Sequence, residues 1–172
     1  DDSLKIRPVG TWLAKFVLWF SVLFAGYHYV TAGIGVPVDY WHMGAHMSGV
    51  IILIFISFPA FKKVKENTKT PQLNGKLSGV PVYDWVFIII GVMSSLYVGV
   101  TWYGVDFSFI GISYNIPEQV LRMGVPLPID VLFGTLLIIV LLEAVRRTIG
   151  IIVPIIITCF TGYAVLGPYI PI

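Results

Sequence analysis

From Met43 to Phe61 the chain runs without a single Asp, Glu, Lys or Arg. A helix that crosses a bilayer needs about 20 mostly apolar residues, and this stretch supplies them. Four further stretches have the same character: residues 12–30, 85–102, 129–146 and 149–166. The runs are too continuous for the alternating pattern of a membrane barrel. They predict an all-α integral membrane protein, a bundle of about five transmembrane helices forming one domain over residues 1–172.

Composition closes off the soluble alternative. The chain is 57% hydrophobic and 12% charged, whereas a soluble domain carries about 25% charged residues. A chain of 172 residues cannot bury that much apolar side chain inside itself. The lone Cys159 excludes a disulfide within one chain. The chain opens Asp1–Asp2 without an initiating Met, so the expected start is a processed, trimmed or partial end. The first apolar run is too long for a signal peptide, and no small-residue cleavage site follows it.

The loop charges set an orientation. Lys5, Arg7 and Lys15 flank the first stretch, and Lys62, Lys63, Lys65, Lys69 and Lys76 follow the second. Arg146 and Arg147 follow the fourth, and Arg122 alone falls on the opposite side. The side rich in Lys and Arg is cytoplasmic, so the expected N-terminus is cytoplasmic and the C-terminus periplasmic. Residues 62–82 read as a basic cytoplasmic loop that touches anionic lipid. Residues 104–127 read as an apolar periplasmic loop lying on the membrane interface or on a partner, with Asp106, Glu118 and Arg122 as docking candidates. Asp130 is placed to cap the fourth helix or to favour its N-terminal dipole.

Three groups of side chains invite a chemical reading. His28, His42 and His46 fall at one depth, and His42 and His46 share a helix face. Three readings stand: an aromatic belt with Tyr27, Tyr29, Tyr40 and Trp41, a metal or haem site, or a pH-responsive contact. The belt is preferred, so no metal and no cofactor is expected. At the other end, Asp84 opens the third helix, and Glu143 stands three and four residues before Arg146 and Arg147. These four read as structural ion pairs or a partner contact, because an acid inside an apolar span is costly unless paired. Gly91, Ser95 and Gly99 recur every four residues, as do Gly44/Ser48 and Ala45/Gly49. Such spacing lets helix backbones approach closely. No phosphate loop, nucleophile motif or His–Glu zinc helix is present, so neither catalysis nor nucleic-acid binding is expected, and no substrate-binding residue is identified.

From Val80 onward a family resemblance enters. Val80-Pro81-Val82-Tyr83-Asp84-Trp85 opens a helix, and Gly124-Val125-Pro126-Leu127-Pro128-Ile129-Asp130-Val131 leads into the next. Leu142-Glu143-Ala144-Val145-Arg146-Arg147-Thr148-Ile149-Gly150 and Gly162-Tyr163-Ala164-Val165-Leu166-Gly167-Pro168-Tyr169-Ile170-Pro171 follow. This order resembles the small (Q-type) membrane part at the start of the fused permease of TAXI-type TRAP transporters, the tripartite ATP-independent periplasmic transporters. The second half of the chain carries the resemblance, and residues 1–79 match only as apolar helices. The resemblance implies a symport of organic acids in the bacterial inner membrane, commonly driven by sodium. A periplasmic substrate-binding protein delivers the anion to a large (M-type) permease, fused or separate, which the small part scaffolds. In the fused family the chain continues past Gly-Pro-Tyr, so the resemblance implies that the large part is either a further chain or a continuation of this one. Two other classes remain open at this point: a haem-binding membrane anchor of a redox complex, and a membrane interaction protein without transport.

Overall fold

The structure is a computed structural model that describes residues 6–7, 9–35, 39–60, 79–109, 112–122 and 124–167. The helices are α1 (Thr11–Ile34), α2 (Asp39–Ser57), α3 (Val82–Thr101), α4 (Pro128–Thr148) and α5 (Ile152–Leu166). The first four are long and apolar enough to cross a membrane. Between α3 and α4 lies a hairpin of β1 (Val105–Phe109) and β2 (Ile112–Ile116), followed by a single 3-10 turn, Val120–Arg122. The basic residues Lys62, Lys63, Lys65, Lys69 and Lys76 lie outside the described residues, as does Pro168 onward.

Several boundaries differ from the sequence reading, and each has a local cause. α2 ends at Ser57 rather than Phe61, because Pro59 disfavours helical backbone at the residue before it and supplies no N–H. α4 starts with Pro128 in its first turn, where the missing N–H is no loss. Gly150 takes φ 110°, which a residue with a Cβ rarely adopts. Its N–H and that of Ile149 both return to the Val145 carbonyl, at 3.3 and 2.9 Å. That closes α4, so α5 starts at Ile152 rather than Ile149. With 15 residues it is about 22 Å long at 1.5 Å per residue, short of a hydrocarbon core about 30 Å thick. The expected bundle of about five helices is thus present as four long apolar helices and one shorter one.

The stretch 104–127, read as a loop, folds in part into the hairpin. Its pairing is antiparallel, from Val105 opposite Ile116 to Phe109 opposite Ile112.

α3 is the centre of the bundle and packs against both α2 and α4; α2 also touches α4. The α2–α3 seam is built on small residues. A Cβ at Gly44 would stand 2.7 Å from the Ser95 carbonyl oxygen, and one at Gly91 2.9 Å from both Ile51 and Val140. A Cβ at Gly99 would meet the Tyr40 carbonyl oxygen at 3.0 Å. Ser48 and Ser95 hydrogen-bond across the seam at 2.7 Å. The spacing read from the sequence is thus a contact surface between α3 and α2. The buried apolar core is Leu13, Ile51, Phe55, Ile56, Val80, Ile88, Val140 and Ala144.

α1 and α5 stand at the margins, α1 against α2 and α5 against α4. Both leave most of their large apolar side chains exposed, among them Trp19 and Leu23 on α1 and Ile152 and Phe160 on α5. In water this would be untenable, since soluble proteins rarely expose apolar patches so extended. Along α1, Trp12, Phe16, Phe20 and Phe24 stack in sequence at 6.3, 5.6 and 6.0 Å. Gly49 of α2 leaves the space that the Phe24 ring fills.

Candidate functional site

The helix directions gather polar side chains at two ends. One end collects the starts of α1 and α3 and the ends of α2 and α4. There Asp84, fully buried, lies between two arginines. Arg7, which precedes α1, donates from Nη2 to Asp84 Oδ2. Arg147, fully buried on α4, brings Nη1 to 2.7 Å from Asp84 Oδ1. That second approach is off the hydrogen-bond line, since Oδ1 has no aligned donor, so it acts as charge against charge. Arg147 Nε also donates to Glu143 Oε1 at 2.8 Å. Arg146 binds the same carboxylate through two donors, at 2.7 and 2.8 Å.

Backbone carbonyls at the frayed end of α2 complete the cluster. Phe58 accepts from Arg147 at 3.2 Å and from Arg7 at 3.4 Å, and Ala60 accepts from Arg146 at 3.0 Å. These carbonyls are free because Pro59 has ended the helix. The Arg147 guanidinium lies 4.4 Å over the Phe55 ring, a cation–π contact that offsets part of its desolvation. The cluster thus joins the pre-α1 segment, α2, α3 and α4. Asp84, Glu143, Arg146 and Arg147 were singled out by the sequence. Arg7 was read only as a loop charge, and nothing local links it to a residue 77 positions away.

The opposite end holds a latch between the hairpin segment and α4. Asp130, in the first turn of α4, accepts from the Leu127 backbone N–H at 2.7 Å and from the Tyr97 hydroxyl at 2.6 Å. It also accepts from Gln119 at 3.2 Å and from the Arg122 guanidinium. Arg122 further donates from Nε to the Pro117 carbonyl at 3.0 Å. Hydrogen bonding to the Asp130 carboxylate, first among several causes, raises the Arg122 pKa above its ordinary value. Arg122 is therefore engaged within the chain by Asp130 and the Pro117 carbonyl. Asp106 and Glu118 are exposed and line an open recess of about 340 Å³ with Tyr103 and Leu121. Asp106 is engaged by Asn115 across the hairpin.

The same end brings together all three histidines of the chain. His46 Nδ1 and His28 Nε2 stand 2.7 Å apart. The His42 ring centre lies 5.2 Å from that of His28. Two neighbours fix the rings. The Phe24 carbonyl accepts from His28 Nδ1 at 2.8 Å, and the Tyr27 hydroxyl meets His42 Nδ1 at 2.8 Å. As placed, no group of three or more His, Cys, Asp or Glu among the described residues is spaced to hold a metal. His28 and His46 touch directly, so no porphyrin fits between that pair. The i, i+4 relation of His42 and His46 and the shared depth of His28 are legible in the sequence; the direct contact of His28 with His46 is not, because it depends on the register of α1 against α2.

The fold and these two ends define a multi-pass helical membrane protein whose ionised side chains on α3 and α4 tie elements to one another. Compared with protein-family models, curated proteins and solved structures, the chain finds no match.

Proposed function

We propose that this chain is the small (Q-type) membrane part of a TAXI-type TRAP transporter for organic anions. In this reading it sits in the bacterial inner membrane with its N-terminus in the cytoplasm and its C-terminus in the periplasm. It scaffolds a large M-type permease and helps a periplasmic substrate-binding protein to dock. One observation carries the reading. The blocks that resemble the family, around Asp84, Asp130 and Glu143–Arg147, are distant in sequence, yet their charged groups form the two polar fastenings of the bundle. Residues that hold a scaffold together suit a part that supports transport without touching the substrate. The broad apolar flanks on α1 and α5 leave room for a large membrane partner.

The test is purification of the full chain from native membranes after mild cross-linking. Recovery with a large permease, fused or separate, and with a periplasmic binding protein supports the reading. So does sodium-driven uptake of an organic anion by the reconstituted assembly. Recovery of the chain alone would sink it, and a haem Soret band in the purified protein would replace it with the redox-anchor reading.

A further inference from the structure

His28 on α1 and His46 on α2 are joined nitrogen to nitrogen, at 2.7 Å, and such a bond holds only while one of the two nitrogens lacks a proton. We propose that this pair is an acid-sensitive contact: it seats α1 on α2 when neutral or singly protonated, and a second added proton breaks it. The inference is independent of the transport reading.

Proton accounting comes first. A carbonyl oxygen can only accept, so His28 Nδ1 carries the proton that points at Phe24 O, 2.8 Å away. Nε2 of the neutral His28 ring is then an acceptor. His46 Nδ1 faces it and therefore donates, which leaves the lone pair of the neutral His46 ring on its Nε2. His46 is exposed, so the first added proton lands there. The product is an imidazolium donating to an imidazole, which keeps the contact and makes it charge-assisted. The second added proton has only His28 Nε2 to go to. Two N–H groups then point at each other, and two like charges meet with no acceptor between them. The two rings thus titrate as a unit rather than one by one.

The surroundings do not relieve that charge. Among the described side chains, the titratable groups beside the pair are Tyr27 on α1 and His42 on α2, each with its ring centre 5.2 Å from that of His28. The charges that act on His46 are those of His28 and His42, so acid adds repulsion here without a counter-charge.

The consequence is mechanical. The Phe24 ring lies edge-on to His28 at 4.5 Å and stacks on His46 at 5.6 Å, and it fills the space that Gly49 leaves on α2. Parting the two histidines therefore disturbs the ring that keys α1 to α2. The start of α1 stays tied through Arg7 to Ser57 and Asp84, so the change is confined to the histidine end.

The test uses the full chain in lipid nanodiscs with ¹⁵N-labelled histidine, compared between about pH 8 and about pH 5, the range in which imidazole ordinarily changes charge. In the upper range His28 should carry its proton on Nδ1, and a scalar coupling should join His28 Nε2 to His46 Nδ1. In the lower range that coupling should vanish. The unfolded chain takes up the proton that the native pair refuses, so stability falls as pH falls. One such proton lowers the unfolding midpoint of a chain this size by about 3–5 °C per pH unit. In His46→Asn the side-chain amide donates or accepts as His28 requires, and this fall should disappear. Three outcomes would overturn the proposal: a His28 proton on Nε2 in the upper range, a coupling that persists in the lower range, or the same fall in His46→Asn. The first two are read on the wild-type chain.

Discussion

Arg147 Nη1 lies 2.7 Å from Asp84 Oδ1, and neither side chain is reached by solvent. Arg146, one residue earlier, pairs with Glu143 while about a third exposed. The two arginines therefore differ in what their loss costs. Removing one member of a fully buried pair leaves an uncompensated charge and costs about 3–5 kcal/mol, whereas a partly exposed pair contributes about 1 kcal/mol or less. Asp84→Ala and Arg147→Ala should each lower the unfolding midpoint of the solubilised protein sharply. Arg146→Ala should lower it only slightly. Equal losses at Arg146 and Arg147 would contradict the buried bridge.

The small residues of α3 and α4 should respond in opposite directions. Gly91→Leu and Ser95→Leu force side chains into the α2 contact and should destabilise by about 1–3 kcal/mol. Gly134 on α4 has nothing within 4 Å of where a Cβ would stand. Gly134→Ala should therefore stabilise by about 0.5–1 kcal/mol, by removing glycine from a helix interior. Thermal unfolding in one detergent compares them directly.

Asp130→Ala removes the acceptor for the Leu127 N–H together with the partner of Arg122, Gln119 and Tyr97. Asp130 stands at the third helical position and accepts from the N-cap N–H, so its loss leaves that donor without its capping-box partner. Amide hydrogen exchange should accelerate over residues 117–130 and stay unchanged at Asp84 and Arg147. Unaltered protection near Arg122 would show that the latch does not hold the segment.

The proposed orientation is checked by labelling. In a Cys159→Ser background, Glu118→Cys should react with a membrane-impermeant maleimide on intact spheroplasts. Asn74→Cys should react only after the membrane is opened. The reverse pattern would invert the topology.

The four long helices and the small-residue seam were legible because both rest on periodicity and apolar length, which are local properties. Asp84 and the Glu143–Arg147 block were legible as charges in need of partners, because an unpaired acid in an apolar span is expensive. What was missed is tertiary. Arg7 reaches Asp84 only once the pre-α1 segment is set against the end of α2, beside α3. His28 meets His46 only through the register that Phe24 and Gly49 impose. The hairpin was hidden because Val105–Ile116 combines high apolar content with strand-forming residues, and an apolar run that short does not separate strand from interfacial loop. The length of α5 turned on Gly150, whose positive φ closes α4 and delays the next helix.

The shared carboxylate also has a consequence for biosynthesis. Domains fold broadly in the order in which they are made, and Asp84 leaves the ribosome well before Arg147. In that interval the counter-charge already present is Arg7, 77 residues behind it. The first arginine can then pair with the acid before α4 is made, and the second joins it when α4 arrives. A nascent chain lacking Arg7 would commit α3 to the membrane with its acid unpaired until Arg147 is made.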